Sequence, residues 1–150
     1  MGTIGGKLQI DSTSGLSQTL TDFRLSLGWM ITTMKEQQTQ LLLLAGDVFD
    51  THKPSMDELS TVMEFFTVCI ANDIKVVVIP GNHDIAQSGQ MASALAPPKY
   101  LPGLYVIERP ETIKLNIEGN VVQVDCLPFP SRGRLLAHDL GKGIGTPEET

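Results

Sequence analysis

Two dense apolar runs, each ending in an acidic loop, constrain this chain more than anything else in it. Leu41-Leu42-Leu43-Leu44-Ala45 leads into Gly46-Asp47-Val48-Phe49-Asp50. Val76-Val77-Val78-Ile79-Pro80 leads into Gly81-Asn82-His83-Asp84. Short unbroken apolar runs of this kind read as strands buried on both faces, as in parallel sheets. Between them, Ser55 with Glu58 three residues on is a capping box, so a helix starts there. Its inward face reads Leu59, Val62, Met63, Phe66, Cys69 and Ile70, and Asn72 reads as its left-handed stop. Strand, helix, strand within residues 41–79 is a right-handed βαβ unit. The fold class is therefore α/β.

The flanks extend this core. Leu20, Phe23, Leu27, Met30, Ile31 and Met34 recur at helical spacing from Ser17 onward, and Gln37 to Gln40 ends that helix. Residues 1–15 are rich in Gly, Ser and Thr, with an extended hint at Leu8-Gln9-Ile10. Beyond Asp84, residues 86–96 read as a short helix, Pro97-Pro98 and Pro102-Gly103 as loop, and 104–107 as a short strand. Ile113, Leu115 and Ile117 alternate, as do Val122, Val124 and Cys126, across a turn at Glu118-Gly119-Asn120. That is a hairpin belonging to a second sheet or an edge. The domain is expected to cover residues 1–140, with a flexible tail over 141–150.

Bulk properties narrow the function. The chain has 150 residues, enough for one domain or a piece of a larger one. A net charge of −6 argues against a surface that holds nucleic acid by charge alone. It does not exclude a nuclease, because a carboxylate-rich site is acidic until its metals bind. The apolar runs fall far short of the ~20 residues that span a bilayer, so no membrane role is expected. No basic-then-apolar leader opens the chain, so we expect a cytoplasmic or nucleoid-associated protein that is not secreted. Met1-Gly2 suggests acylation, but Gly6 lacks the expected hydroxyl. The two cysteines, Cys69 and Cys126, read as buried free thiols in a reducing compartment.

Loops leaving the carboxyl ends of adjacent parallel strands open onto one sheet edge. Carboxylates from the first loop would there face an amide, an imidazole and another carboxylate. Hard oxygen donors beside a nitrogen base suit a divalent-metal phosphoester site. Phosphodiester hydrolysis needs charge neutralised on phosphate, hydroxide made at neutral pH and the leaving oxygen protonated. Two ions roughly 3.5–4 Å apart do the first two jobs. Asp47 is the candidate bridging ligand, and Asn82 offers a neutral carbonyl oxygen. His83 is positioned to protonate the departing alkoxide. Asp50 is the candidate partner that holds its tautomer, with Asp84 the alternative. Either loop alone would read as ordinary turn residues. Both together, on two buried strands joined by one helix, point to a site. His52 reads as an exposed turn residue, His138 as solvated surface and Trp29 as packing.

The two loops resemble the second and third motifs of the metallophosphoesterase (calcineurin-like) superfamily, Gly-Asp-x-x-Asp and Gly-Asn-His-Asp/Glu. The wider stretches 42–50 and 76–84, Pro54-Ser55, and the segment ending Cys126-Leu127-Pro128-Phe129-Pro130 look like the SbcD-type DNA-repair nuclease subunits. The resemblance implies a partial metallophosphoesterase fold, with a βαβ core plus a C-terminal β-hairpin from a second sheet. It implies Asp47 and Asn82 as metal ligands, and His83 as general acid oriented by Asp50. It also implies two manganese ions, with magnesium as a substitute. The expected substrate is DNA and the expected partner an SbcC-like ATPase, with a homodimer as one assembly. The same fold also serves phosphatases and phosphodiesterases acting on small phosphoesters, and an inactive binding or assembly fragment is the third reading. The family's first motif, Asp-x-His, does not appear, and Met1-Gly2-Thr3-Ile4-Gly5-Gly6 looks like the residues just after it. The later histidine motifs are also missing, and Asp22, Asp73 and His138 lie in the wrong context to replace them. About half of the expected ligands are thus present. The expectation is a truncated gene product, a fragment of an open reading frame or one half of a split protein.

Overall fold

The computed structural model describes residues 17–85, 95–96 and 98–130. Helix α1 (Gln18–Glu36) opens on Ser17, whose hydroxyl accepts the Leu20 N–H at 3.2 Å. It is followed by strand β1 (Leu41–Ala45), helix α2 (Met56–Ala71) and strand β2 (Lys75–Ile79). The Ser55/Glu58 capping box forms as the sequence implies, with both reciprocal bonds present. A short 3₁₀ turn at Pro98–Tyr100 precedes strand β3 (Leu104–Val106). Strands β4 (Glu111–Ile117) and β5 (Asn120–Cys126) then form the hairpin. Glu118 and Gly119 both take positive φ, 48° and 83°, which matches a two-residue turn to the strand twist.

The main sheet has the order β1-β2-β3 and is parallel throughout. Leu41 pairs with Lys75 and Ala45 with Ile79, so both strands reach the same edge together. Side chains alternate between two apolar layers. Leu42, Leu44, Val76, Val78, Leu104 and Val106 face the helices, joining Phe23, Leu27, Met34, Val62, Phe65 and Phe66. Leu41, Val77, Ile79, Tyr105 and Ile107 face the hairpin and meet Ile113, Leu115, Ile117, Val124 and Cys126. The result is helices, sheet and hairpin in three layers. Each fully buried aliphatic or aromatic side chain contributes about 1.5–3 kcal/mol relative to exposure. Arg24 Nε donates to Thr61 Oγ1 at 3.1 Å, tying α1 to α2.

Three expectations need correction, and four others fall outside the described residues. Among the described strands only β2 is buried on both faces; β1 leaves Leu43 54% exposed. The reason is position: among the described residues β1 is paired on one side alone. Trp29 is 70% exposed and does not pack, because it lies on the α1 face opposite Leu27 and Met34. The left-handed residue after α2 is Asp73 (φ 60°), not Asn72 (φ −104°). Asn72 instead ends the helix through Nδ2, which donates to the Val68 carbonyl at 2.7 Å. The hint at Leu8-Gln9-Ile10, most of the expected 86–96 helix, His138 and the 141–150 tail lie outside the described residues. Leu95 and Ala96 form a turn, with Leu95 buried. Cys69 and Cys126 are buried free thiols, as expected. Burial pushes both thiols up, Cys69 to about 11.

Candidate functional site

Strands β1 and β2 end level, so their loops start side by side. The loops approach so closely that neither Gly46 nor Gly81 has room for a side chain. A Cβ on Gly46 would lie 2.9 Å from Gly81 Cα. A Cβ on Gly81 would collide with the carboxylate and main-chain nitrogen of Asp47. Gly46 has φ 92°, and Asp47 itself takes φ 51°. Left-handed backbone is uncommon for a residue with a Cβ, though aspartate tolerates it better than most. Conformations of this kind cost roughly 1–3 kcal/mol and persist where neighbours over-determine them.

The neighbours here are reciprocal carboxylate–amide bonds. Asp47 Oδ1, on the first loop, accepts the His83 N–H of the second at 3.1 Å. Asp84, on the second loop, accepts from Val48 N–H at 3.3 Å and Phe49 N–H at 2.9 Å on the first. It also accepts from Gly81 N–H at 2.8 Å. Asp84 is fully buried. Its role as an alternative partner of His83 is therefore not what the structure shows: its carboxylate is turned inward onto main-chain amides, and His83 is exposed. The His83 ring goes to Asp50, with Nδ1 2.9 Å from the Asp50 main-chain oxygen and 3.5 Å from its carboxylate.

Asp47, Asp50, Asn82 and His83 thus lie on two loops at one rim of the sheet, and all four are exposed. Asn82 stands in the turn between Gly81 and His83. A carboxylate bonded to the facing loop and the amide of the residue preceding that bond's donor are the donor types that a hard divalent cation takes. In chemistry they fit such an ion. In number they are part of a shell: among the described residues no group of three or more His, Cys, Asp or Glu side chains is placed to hold a metal. His52 is exposed, as expected of a turn residue. A cleft of about 670 Å³ opens at the opposite, amino end of the strands, between Gln40, Lys75 and Asn116, and carries none of these groups.

A profile of the calcineurin-like phosphoesterase family matches residues 21–140. The chain belongs to the calcineurin-like phosphoesterase family. Members of this family use divalent metals for hydrolytic chemistry. Among curated proteins, the chain is similar to the SbcD subunit of the SbcCD nuclease of Bacillus subtilis (strain 168). The two are 31% identical over 109 residues, 69% of this chain and 27% of that protein. The SbcD subunit of Staphylococcus epidermidis (strain ATCC 12228 / FDA PCI 1200) is 29% identical over 119 residues, 77% of this chain and 30% of that protein. The DNA double-strand break repair protein Mre11 of Nanoarchaeum equitans (strain Kin4-M) is 43% identical over 49 residues, 33% of this chain and 14% of that protein. The chain therefore spans less than a third of the length of these relatives. No helix among the described residues of this phosphoesterase-family chain is long and apolar enough to cross a membrane.

Sequence reasoning found the four rim residues of this phosphoesterase-family chain but missed what holds them. Asp84 gave no signal of burial, being a charged residue after a turn. The need for glycine at 81 was also unseen, because it arises from the facing loop rather than from its own backbone.

Proposed function

We propose that this chain carries the metal-dependent phosphodiesterase site of an SbcD-type DNA nuclease. The observation that carries the reading is the convergence of Asp47 and His83: the Asp47 carboxylate and the His83 main chain are bonded across 36 residues of sequence, at the rim where Asp50 and Asn82 also stand. Asp47 and Asn82 would hold the ion, and manganese is the metal proposed. A bound divalent ion supplies positive charge against phosphate oxygens and lowers the pKa of water.

The chain's own residues supply the rest. A carbonyl oxygen only accepts hydrogen bonds, so the short contact to Asp50 requires a proton on His83 Nδ1. Nε2 is then the nitrogen left for the substrate. When the ring is doubly protonated, Nε2–H can donate to the departing oxygen, and the Asp50 carboxylate stands 3.5 Å from Nδ1 on the other side of the ring. The substrate proposed is DNA, named in the Mre11 relative, and the partner proposed is an SbcC-like subunit, after the SbcCD complex named in the other two; that this partner is an ATPase is what the family resemblance implies.

The test is manganese-dependent hydrolysis of bis(p-nitrophenyl) phosphate and of a duplex DNA end by the unaltered chain, His83→Ala and Asp47→Ala. Hydrolysis of both substrates, lost in both variants, is expected. Equal rates in all three proteins would remove the enzymatic reading. Hydrolysis of the small diester with DNA untouched would remove the nuclease and leave a small-phosphoester enzyme.

A further inference from the structure

Asp84 is a titratable group that the proposed chemistry does not use, yet it is fully buried. A buried carboxylate is costly unless paired or hydrogen-bonded. This one accepts three main-chain N–H groups, two from the opposite loop and one from its own. Charge-assisted bonds of this type are short and strong, and the 2.8 and 2.9 Å separations fit that description. All three donors flank the proposed metal ligands and the histidine's partner. Val48 follows Asp47 directly, Phe49 precedes Asp50, and Gly81 precedes Asn82.

We infer that Asp84 is the positioning residue of this site, fixing Asp47 of one loop relative to Asn82 and His83 of the other. The inference rests on the metal reading given above. It works in one direction only: Asp84 reaches no solvent, so it acts through the amides and not on substrate. The bond from His83 N–H to Asp47 Oδ1 closes the clasp from the other side. An amide at position 84 cannot reproduce this. Asn has one acceptor oxygen, and its NH₂ would turn donor against donor toward Phe49 or toward Val48 and Gly81. The two loops would then lose their shared reference, and the ligands their spacing.

The experiment is calorimetric titration with manganese of the unaltered chain, Asp84→Asn and Asp84→Glu, each checked for folding by circular dichroism and thermal melting. Groups that orient metal ligands typically govern affinity by roughly 10–100-fold. Asp84→Asn should weaken manganese binding within that range while remaining folded, and Asp84→Glu, which keeps both acceptors and the charge, should recover most of it. A folded Asp84→Asn chain that melts earlier but binds manganese as tightly as the unaltered chain would overturn the inference, leaving a merely structural carboxylate. Failure of Glu to recover affinity would overturn it too. Should Asp84→Asn not fold, amide exchange on the unaltered chain decides: slow exchange at Phe49 and Gly81 before metal is added is expected, and fast exchange there overturns the clasp. No manganese uptake by the unaltered chain would instead overturn the metal reading itself, and this inference with it.

Discussion

His83 Nδ1 lies 2.9 Å from the main-chain oxygen of Asp50 and 3.5 Å from its carboxylate. The nearer contact belongs to the backbone, which no substitution at position 50 removes. The tautomer of the ring is therefore set mainly by the loop's path and only secondarily by the aspartate side chain. Asp50 is itself exposed, so its charge acts through water as well as through contact.

Removing His83 and removing the Asp50 side chain should accordingly have unequal effects. His83→Ala should lower manganese-dependent phosphodiester hydrolysis by about 10²–10⁴-fold, the usual worth of a general acid. Asp50→Ala should cost about 10-fold, because the main-chain acceptor stays and only the assisting charge goes. Steady-state rates on bis(p-nitrophenyl) phosphate compare them directly. A loss in Asp50→Ala as large as in His83→Ala would mean that the carboxylate, not the carbonyl, holds the ring.

The parts of this molecule that were legible in the sequence are those governed by local pattern. The Ser55/Glu58 box, the apolar stripes of α1 and α2, and the alternation at Ile113, Leu115 and Ile117 each follow from spacing alone. The four rim residues were legible because a parallel βαβ unit sends both loops to one edge. What escaped depends on neighbours. Leu43 reads like Leu42 and Leu44, and only its place on a strand paired on one side leaves it exposed. Trp29 follows a helical stripe without belonging to it. Asp84 reads as an alternative partner of His83, and its burial comes from amides supplied 35 and 36 positions away.

The close approach of the loops makes Gly81 a sensitive position. A methyl group there meets the Asp47 carboxylate and main-chain nitrogen, so one loop must move. Gly81→Ala should cost about 1–3 kcal/mol of stability through overpacking. It should also weaken manganese binding, since the displaced group is the proposed ligand. Urea denaturation and manganese titration on the same samples check both. Unchanged affinity would show that Asp47 does not reach the ion from its present position.

Core and edge should respond differently to truncation. Phe66 is fully buried between α2 and the sheet, whereas Leu43 is half exposed. Phe66→Ala should destabilise by about 3–5 kcal/mol. Leu43→Thr should stay within about 1 kcal/mol, since a β-branched residue suits a strand and little burial is lost. Urea midpoints at constant slope give both values. A large loss in Leu43→Thr would mean that the outer face of β1 is covered in solution.

The Cys69 thiol yields a prediction about pH. Burial pushes it from the ordinary value near 9 up to about 11, so the folded chain holds this proton more tightly than the unfolded chain does. Between those values the unfolded state has already released it. Stability is thus unaffected below about pH 9, falls as the pH rises through the interval, and has lost its full share above about 11. The interval between those two values corresponds to roughly 2–3 kcal/mol. Comparing Cys69→Ala with the unaltered chain cancels the lysines, tyrosines and Cys126, which titrate in both proteins. The alanine variant should start less stable at about pH 8, because a buried sulfur is gone, and lose less as the pH is raised to about 11. Equal pH slopes would show that Cys69 meets solvent in the folded chain, and labelling by a thiol reagent under native conditions would then be fast rather than limited by unfolding.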